Sequence, residues 1–315
     1  MSDRYINRAL VTLQKFLKEN VIKDKALAKE TTMRVGGPAA IFAIANSFHH
    51  LRIVLDTARD WGLPLFIIGK GSNLLVSDAG FPGIVLRLGR DFMLKRIEGT
   101  KVQAGAGVSL PSLVQATSKH SLKGLGFAIG IPGSLGGALV MNAGAHDGCI
   151  GDLVRSVIVC TKECTFKVLE RDQLNFEYRN GNFDKDNIIM EATLVLSVGD
   201  TGTIKHQMED YFTKRKDSQP LQFPNAGSIF KNPQGVPAGG LIESAGCKGM
   251  RIGGAEVSIK HANFIINRGG ATASDIYALF RSVQQQVFDH HGIMLEPEIE
   301  FLGEFNEVII TPGKS

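Results

Sequence analysis

Residues 130–145 read GIPGSLGGALVMNAGA, and this stretch decides what kind of chain this is. Four glycines, with Pro132 and Ser134, fall within its first eight residues, more than a simple turn requires. Glycine at this density marks places where the backbone takes positive φ or comes very close to a ligand. A second cluster, GKGSN at 69–73, follows directly on the apolar strand LFII. Successive exposed N–H groups in such a turn suit a diphosphate, and Ser72 and Asn73 add side-chain donors. AGAG at 104–107 makes a third close approach. The first cluster is neither GxxxxGK followed by Ser or Thr nor GxGxxG opening a long helix, which argues against a nucleoside triphosphatase and against the usual dinucleotide fingerprint. One such loop alone is as often an ordinary turn. Two nests in adjoining domains, with a third close approach between them in the sequence, can hold the two ends of a long, phosphate-bridged cofactor.

Around these loops the chain has a soluble, mixed pattern. Its 315 residues, 43% hydrophobic and 21% charged, fit two or three cores and argue against disorder and membrane insertion. The N-terminal stretch carries charge throughout and lacks the apolar core of a secretory signal, so a cytoplasmic location is expected. A formal charge of +4 without a dense Lys/Arg stripe speaks against nucleic acid and still favours an anionic small molecule. Cys149, Cys160, Cys164 and Cys247 contain no CxxC, and no histidine has a partner at metal-ligand spacing. Free thiols and no metal are the expectation.

Periodicity predicts a helix over 1–25, a turn and strand in TTMRVGGPAAIFAIA, and an amphipathic helix in SFHHLRIVLDTARDWG closed by Gly62. Short strands flank the GKGSN loop. Strand-like runs VRSVIVCT, TFKVLE and NIIMEATLVLSVG follow the second glycine loop. A polar helix begins near TIKHQMEDYF, and TASDIYALFRSVQQQVFDHHG predicts a long helix before a last strand in PEIEFLG. The natural cuts give α+β units at 1–100, 101–203 and 204–315.

TTMRVGGPA, GKGSNLLV, AGAGV, GLGFAIGIPGSLGGALVMNAGA, YRNGNF, PNAGSIFKNP, HANFIIN and LEPEIEFLG, in this order, closely resemble the UDP-N-acetylenolpyruvoylglucosamine reductases of peptidoglycan precursor synthesis. The likeness covers nearly the whole chain and is to the shorter class, which lacks an extra substrate-domain loop. It implies an α+β fold with a two-subdomain FAD-binding domain of the vanillyl-alcohol-oxidase-like type (1–100 and 101–203) and a C-terminal α+β substrate domain (204–315). It implies non-covalent FAD, NADPH as hydride source, and reduction of UDP-N-acetylglucosamine enolpyruvate to UDP-N-acetylmuramate. It places cofactor contacts at Gly69, Lys70, Gly71, Ser72, Asn73, Gly105, Gly130, Ile131, Pro132, Gly133, Ser134, Gly136, Gly137, Asn142, Ala143 and Gly144. Catalytic roles fall to Ser228, Arg179 and Glu298, and substrate contacts to Lys216, Lys231 and Asn232. The oligomeric state stays open, with a monomer favoured.

Each catalytic candidate also has a bland reading. Ser228 alone would be a cap or strand end, and Ala226 in place of the first glycine of GxSxG weakens the nucleophile reading. Under the resemblance it is the proton donor, a weak acid made adequate by a strongly basic carbanionic acceptor, with Lys231 or a backbone N–H stabilising the alkoxide. The planar, always cationic fork of Arg179 suits a carboxylate, although most arginines are surface partners. Glu298 alternates with Glu296 and Glu300, so all three are expected on one strand face, and only the motif selects Glu298. Gly181 stands where the resemblance leads one to expect serine, and AHDGC at 145–149 replaces a tyrosine-bearing run. A sugar or hydroxy-acid flavin oxidase is the nearest rival, and its histidine tether has no counterpart in GKGSN. A silent UDP-sugar-binding protein is the other, and it predicts no flavin bleaching by NADPH.

Overall fold

A computed structural model describes residues 3–305; residues 1–2 and 306–315 of the predicted end segments lie outside the described residues. The chain forms two compact units, and neither is a single run of sequence. The first takes in the N-terminal stretch to Lys23, Ala40–Lys70 and Gly83–Arg215; the second takes in Asp24–Ala39, Gly71–Pro82 and the chain from Lys216 onward.

In the first unit, helix Asp3–Leu17 buries Ala9, Leu13 and Leu17, and helix Phe48–Asp60, capped by Ser47, buries Leu51, Val54 and Leu55. The predicted helix over 1–25 is too long. It stops at Leu17, where Asn20 Nδ2 donates to the Leu17 carbonyl, and Val21–Ala26 is a strand beside Pro38–Ala45. That strand is set by a partner elsewhere in the chain, which local periodicity cannot see. The sheet has the order Val21–Ala26, Pro38–Ala45, Phe81–Leu88, Leu65–Ile67, and its last pair is parallel. A second, antiparallel sheet has the order Phe166–Glu170, Val154–Cys160, Ile188–Val195, Lys101–Gly105, Lys95–Glu98. One buried cluster joins Ile41, Ile84 and Leu86 of the first sheet to Val102, Val157 and Ala192 of the second. Leu113 of helix Leu110–Lys119 and Leu135 and Leu139 of helix Leu135–Val140 fill it.

The second unit draws residues 24–39 and 71–82 out of the stretch that the sequence reading gives to the first flavin subdomain. The reason is a long-range pairing: Leu74–Val76, buried throughout, runs parallel to Glu300–Leu302. Arg251–Ile252, Ala255–Val257 and Ile265–Asn267 form an antiparallel sheet, and helix Ala273–His291 sends Ile276, Phe280, Val283 and Val287 into a core with Leu75, Phe230 and Val257.

This helix starts with a capping box from Thr272 and Asp275, and Asp78 adds a second carboxylate there. Asp78 accepts from the N–H groups of Ala273 and Ser274 at 2.8 Å and from Ser274 Oγ at 2.7 Å. Desolvation alone would raise the Asp78 pKa, but these bonds outweigh it and hold the pKa below its ordinary value. A folded pKa below the unfolded one gives stability that is present above the ordinary pKa of 3.8 and is lost as pH falls through the folded value. Asp78→Ala should therefore cost about 1 kcal/mol at neutral pH, as a lost cap does. Urea unfolding should show the gap to wild type closing in acid.

Candidate functional site

The glycine stretches meet inside the first unit. Leu110 N–H donates to the Gly133 carbonyl at 2.9 Å, Leu135 N–H to Val108 at 2.8 Å and Gly136 N–H to Ala106 at 2.8 Å. A Cβ on Gly136 would fall 3.0 Å from the Ala106 Cβ, and one on Gly69 would fall 2.5 Å from Ser134 Oγ. Ser134 is buried and caps the short helix Leu135–Val140 by accepting the Gly137 N–H. Gly69, the 104–107 strand end and the 130–137 loop thus lie against one another, with Ile131 half-buried and Pro132 exposed at the rim. The N–H groups of Gly69 and Lys70 have no backbone partner among the described residues.

Beside this loop lies a cation that the sequence reading passed over in favour of Lys216. A Cβ on Gly130 would sit 3.2 Å from Arg215 Cδ, and Arg215 Nε is buried with no hydrogen-bond partner among the described residues. Burial lowers the pKa of that guanidinium. A buried cation of this kind calls for an anion. Open backbone donors, glycine positions with no room for a side chain and Arg215 Nε fit a diphosphate-bearing cofactor. The signal for Arg215 was the basic run KRK at 214–216, where only the motif match chose among the three.

Several predicted cofactor residues serve the chain itself. A Cβ on Gly71 would fall 2.3 Å from the Glu30 carbonyl, and one on Gly105 would fall 2.2 Å from that of Phe92. Ala143 spends its N–H on Ala138 and its carbonyl on Ile150. Asn142, buried at φ 41°, donates from Nδ2 to the Glu177 carbonyl at 2.8 Å and accepts the Gly151 N–H at 3.0 Å. Ser72 is half-buried, and Asn73 Nδ2 donates to the Glu298 carbonyl at 2.9 Å within the second unit.

Asn142 thereby anchors the turn that carries Arg179. Glu177 and Asn180 exchange backbone hydrogen bonds, and Arg179 takes φ 56° in the turn position that ordinarily calls for Gly or Asn. Its guanidinium is half-buried, donates from Nη1 to the Gly144 carbonyl at 3.1 Å and sits 5.2 Å from the Tyr178 ring centroid. Holding an arginine there costs on the order of 1–3 kcal/mol, a strain usually stored where geometry matters.

The second unit brings Ser228 and Glu298 together. Glu298 N–H donates to the Ile229 carbonyl at 2.8 Å, and Lys231 N–H donates to Glu296 at 2.9 Å. The regular strand begins only at Glu300, so the three glutamates do not share one strand face: Glu298 is half-buried while Glu296 and Glu300 are exposed. Ser228 is half-buried, and its hydroxyl has no hydrogen-bond partner among the described residues. The residues around it are pinned: Gly227 N–H donates to Asn225 Oδ1 at 3.0 Å, and Ile229 N–H to the Asn263 carbonyl at 3.0 Å. Lys231 Nζ lies 3.4 Å from Glu296, Asn232 Oδ1 accepts the Ala238 N–H, and the Lys216 carbonyl accepts from Lys260.

Residues 219–302 match the family model described as the C-terminal domain of UDP-N-acetylenolpyruvoylglucosamine reductase, and residues 39–168 match one described as an FAD binding domain. A UDP-N-acetylenolpyruvoylglucosamine reductase of Desulforamulus reducens is 45% identical over 93% of this chain and 97% of its own length. The chain belongs to the UDP-N-acetylenolpyruvoylglucosamine reductase family. A Moorella thermoacetica relative of the same name is 47% identical over 93% of this chain and 96% of its own. The crystal structure of the reductase from Thermus caldophilus superposes with a TM-score of 0.80 at 35% identity, covering 90% of this chain and 98% of that one. A 4-ethylphenol oxidase from Gulosibacter chungangensis is similar in fold alone, at 13% identity and TM-score 0.50 over 62% of this chain and 43% of that one.

As a member of this reductase family the chain is an FAD-dependent oxidoreductase of peptidoglycan synthesis, with the FAD-binding fold of the vanillyl-alcohol-oxidase type. The two stretches where the resemblance leads one to expect other residues have well-defined surroundings. A Cβ on Gly181 would fall 2.1 Å from the Leu139 carbonyl, so the turn after Arg179 packs too closely for serine. In the AHDGC loop, His146 stacks on Tyr211 with ring centroids 4.2 Å apart, and burial, then Lys214 and Arg215, lowers its pKa.

Proposed function

We propose that this chain reduces UDP-N-acetylglucosamine enolpyruvate to UDP-N-acetylmuramate in the cytoplasm, with NADPH as hydride source. The observation that carries the residue assignment is the pairing of Ser228 and Glu298 through the Glu298 N–H and the Ile229 carbonyl. The two sequence-distant candidates are thereby held on adjacent segments of one unit. FAD, when bound, supplies the redox chemistry, hydride uptake from the nicotinamide and hydride delivery to the enolpyruvyl methylene.

The side chains supply the rest. Arg179 takes the substrate carboxylate on its planar fork and stabilises the negative charge that builds there. Ser228 donates a proton from Oγ to the carbon beside that carboxylate, and its uncommitted hydroxyl on a pinned backbone supports this role. Glu298 polarises the enolpyruvyl group. Gly69, Lys70, Ser72 and the 130–137 loop hold the diphosphate of the cofactor, with Arg215 added here to the residues inferred from sequence. Lys216, Lys231 and Asn232 are assigned to the substrate. The first unit divides near residue 100 into two flavin-binding subdomains, a reading supported by its separate four-stranded and five-stranded sheets.

The test is anaerobic. NADPH should bleach the bound flavin, NADH should do so much more slowly, and the enolpyruvyl UDP-sugar should restore the colour. A flavin that NADPH reduces and this sugar fails to reoxidise would refute the substrate assignment.

A further inference from the structure

We infer that Asn263 is a positioning residue for the proton-donor segment, acting on Ser228 through the backbone of Ile229 and Phe230. The inference rests on the reading of Ser228 given above. Asn263 is buried, at 3% exposure, and its side chain does what a neighbouring strand would do. Oδ1 accepts the Phe230 N–H at 3.0 Å, and Nδ2 donates to the Phe230 carbonyl at 2.8 Å. The Asn263 carbonyl accepts the Ile229 N–H at 3.0 Å. On the other side the same two-residue stretch is flanked by the bonds from Glu298 N–H to Ile229 and from Lys231 N–H to Glu296.

A primary amide is well suited to this task. It presents one acceptor and one donor in the geometry of a peptide group, so both polar atoms of Phe230 are satisfied in a buried place. The Phe230 ring, stacked on Phe280 with centroids 4.7 Å apart, fixes the same residue from the core. Ser228 lies one residue beyond Ile229 with its hydroxyl uncommitted, so its direction follows from the segment that Asn263 holds. Loss of the amide leaves the core contact of Phe230 and the flanking backbone bonds in place but releases both polar atoms of Phe230, so the segment loosens at that residue.

The test is a double-mutant cycle on the holoenzyme. Asn263→Ala should leave FAD content and flavin reduction by NADPH within about twofold, and slow reoxidation by the enolpyruvyl UDP-sugar on the order of 10²-fold, the usual cost of a displaced reacting group. In a Ser228→Ala background the same change should add almost nothing, because the group being aimed is gone. Amide hydrogen exchange should quicken over 225–233 and stay unchanged over 273–291. Losses that multiply across the cycle, or loosening spread over the whole unit, would overturn the inference while leaving the reading of Ser228 intact. If Ser228→Ala alone reoxidises at the wild-type rate, the reading and the inference fail together. Should Asn263→Ala not fold, Asn263→Gln decides by the same cycle, since it keeps a neutral amide and displaces it from Phe230 by one methylene without burying a charge.

Discussion

Ser228→Ala is expected to bind FAD and to be reduced by NADPH like the wild type, yet to lose about 10²–10⁴-fold in reoxidation by the enolpyruvyl UDP-sugar. The asymmetry follows from what the hydroxyl touches. It has no hydrogen-bond partner among the described residues, so its removal breaks no bond that the fold requires. The backbone on either side is held by Asn225 and Asn263 rather than by the serine. Stopped-flow traces of the two half-reactions separate the effects, and thermal unfolding should move little. A variant that loses both half-reactions equally, or that unfolds early, would mean that Ser228 is a structural residue, the bland reading of the motif. Solvent deuterium should slow reoxidation in the wild type if proton delivery limits it, and this sensitivity should change in the variant.

How far the sequence carried can be judged from particular residues. The glycine loops were legible because a missing Cβ is itself a message. Gly69 against Ser134 and Gly136 against Ala106 are close approaches that a reader of composition can anticipate. Other glycines in the same motifs carry a different message in the same letters. Gly71 is demanded by the Glu30 carbonyl and Gly105 by that of Phe92, and no spacing rule separates a glycine that makes room for a ligand from one that makes room for the chain. Helix Ala273–His291 was legible because its cap, apolar stripe and Gly292 stop are all local. The strand Val21–Ala26 and the placement of 71–82 in the second unit were not, since each is decided by a partner far away in sequence.

The asparagines carry roles that are not legible from local pattern. The side chains of Asn73 and Asn142 secure the backbone at Glu298 and the turn of Arg179, a task that no spacing rule in the sequence separates from a cofactor contact. Asn263 drew no attention, and it secures the segment of Ser228. Each of the three catalytic candidates is thus held by one amide from elsewhere in its own unit.

Gly181 gives the second large effect, because it stands where the resemblance leads one to expect serine. Restoring the expected serine by Gly181→Ser should damage the enzyme. Gly181 N–H donates to the Val140 carbonyl at 2.8 Å, and a Cβ would come 2.1 Å from the Leu139 carbonyl and 2.8 Å from the Phe183 ring. Two backbones pack here, so no side chain can swing aside to relieve the clash. The turn would be pushed off helix Leu135–Val140, and the Arg179 Nη1 contact with Gly144 would go with it. Overpacking of this kind costs about 1–3 kcal/mol in urea unfolding, and a displaced Arg179 should slow reoxidation on the order of 10²-fold. The offending atom is the Cβ, so Gly181→Ala should behave like Gly181→Ser. A serine variant faster than the alanine one would show that the turn can relax to admit a side chain and that the hydroxyl then contributes, which would make close packing at Leu139 a consequence of the glycine and not its cause.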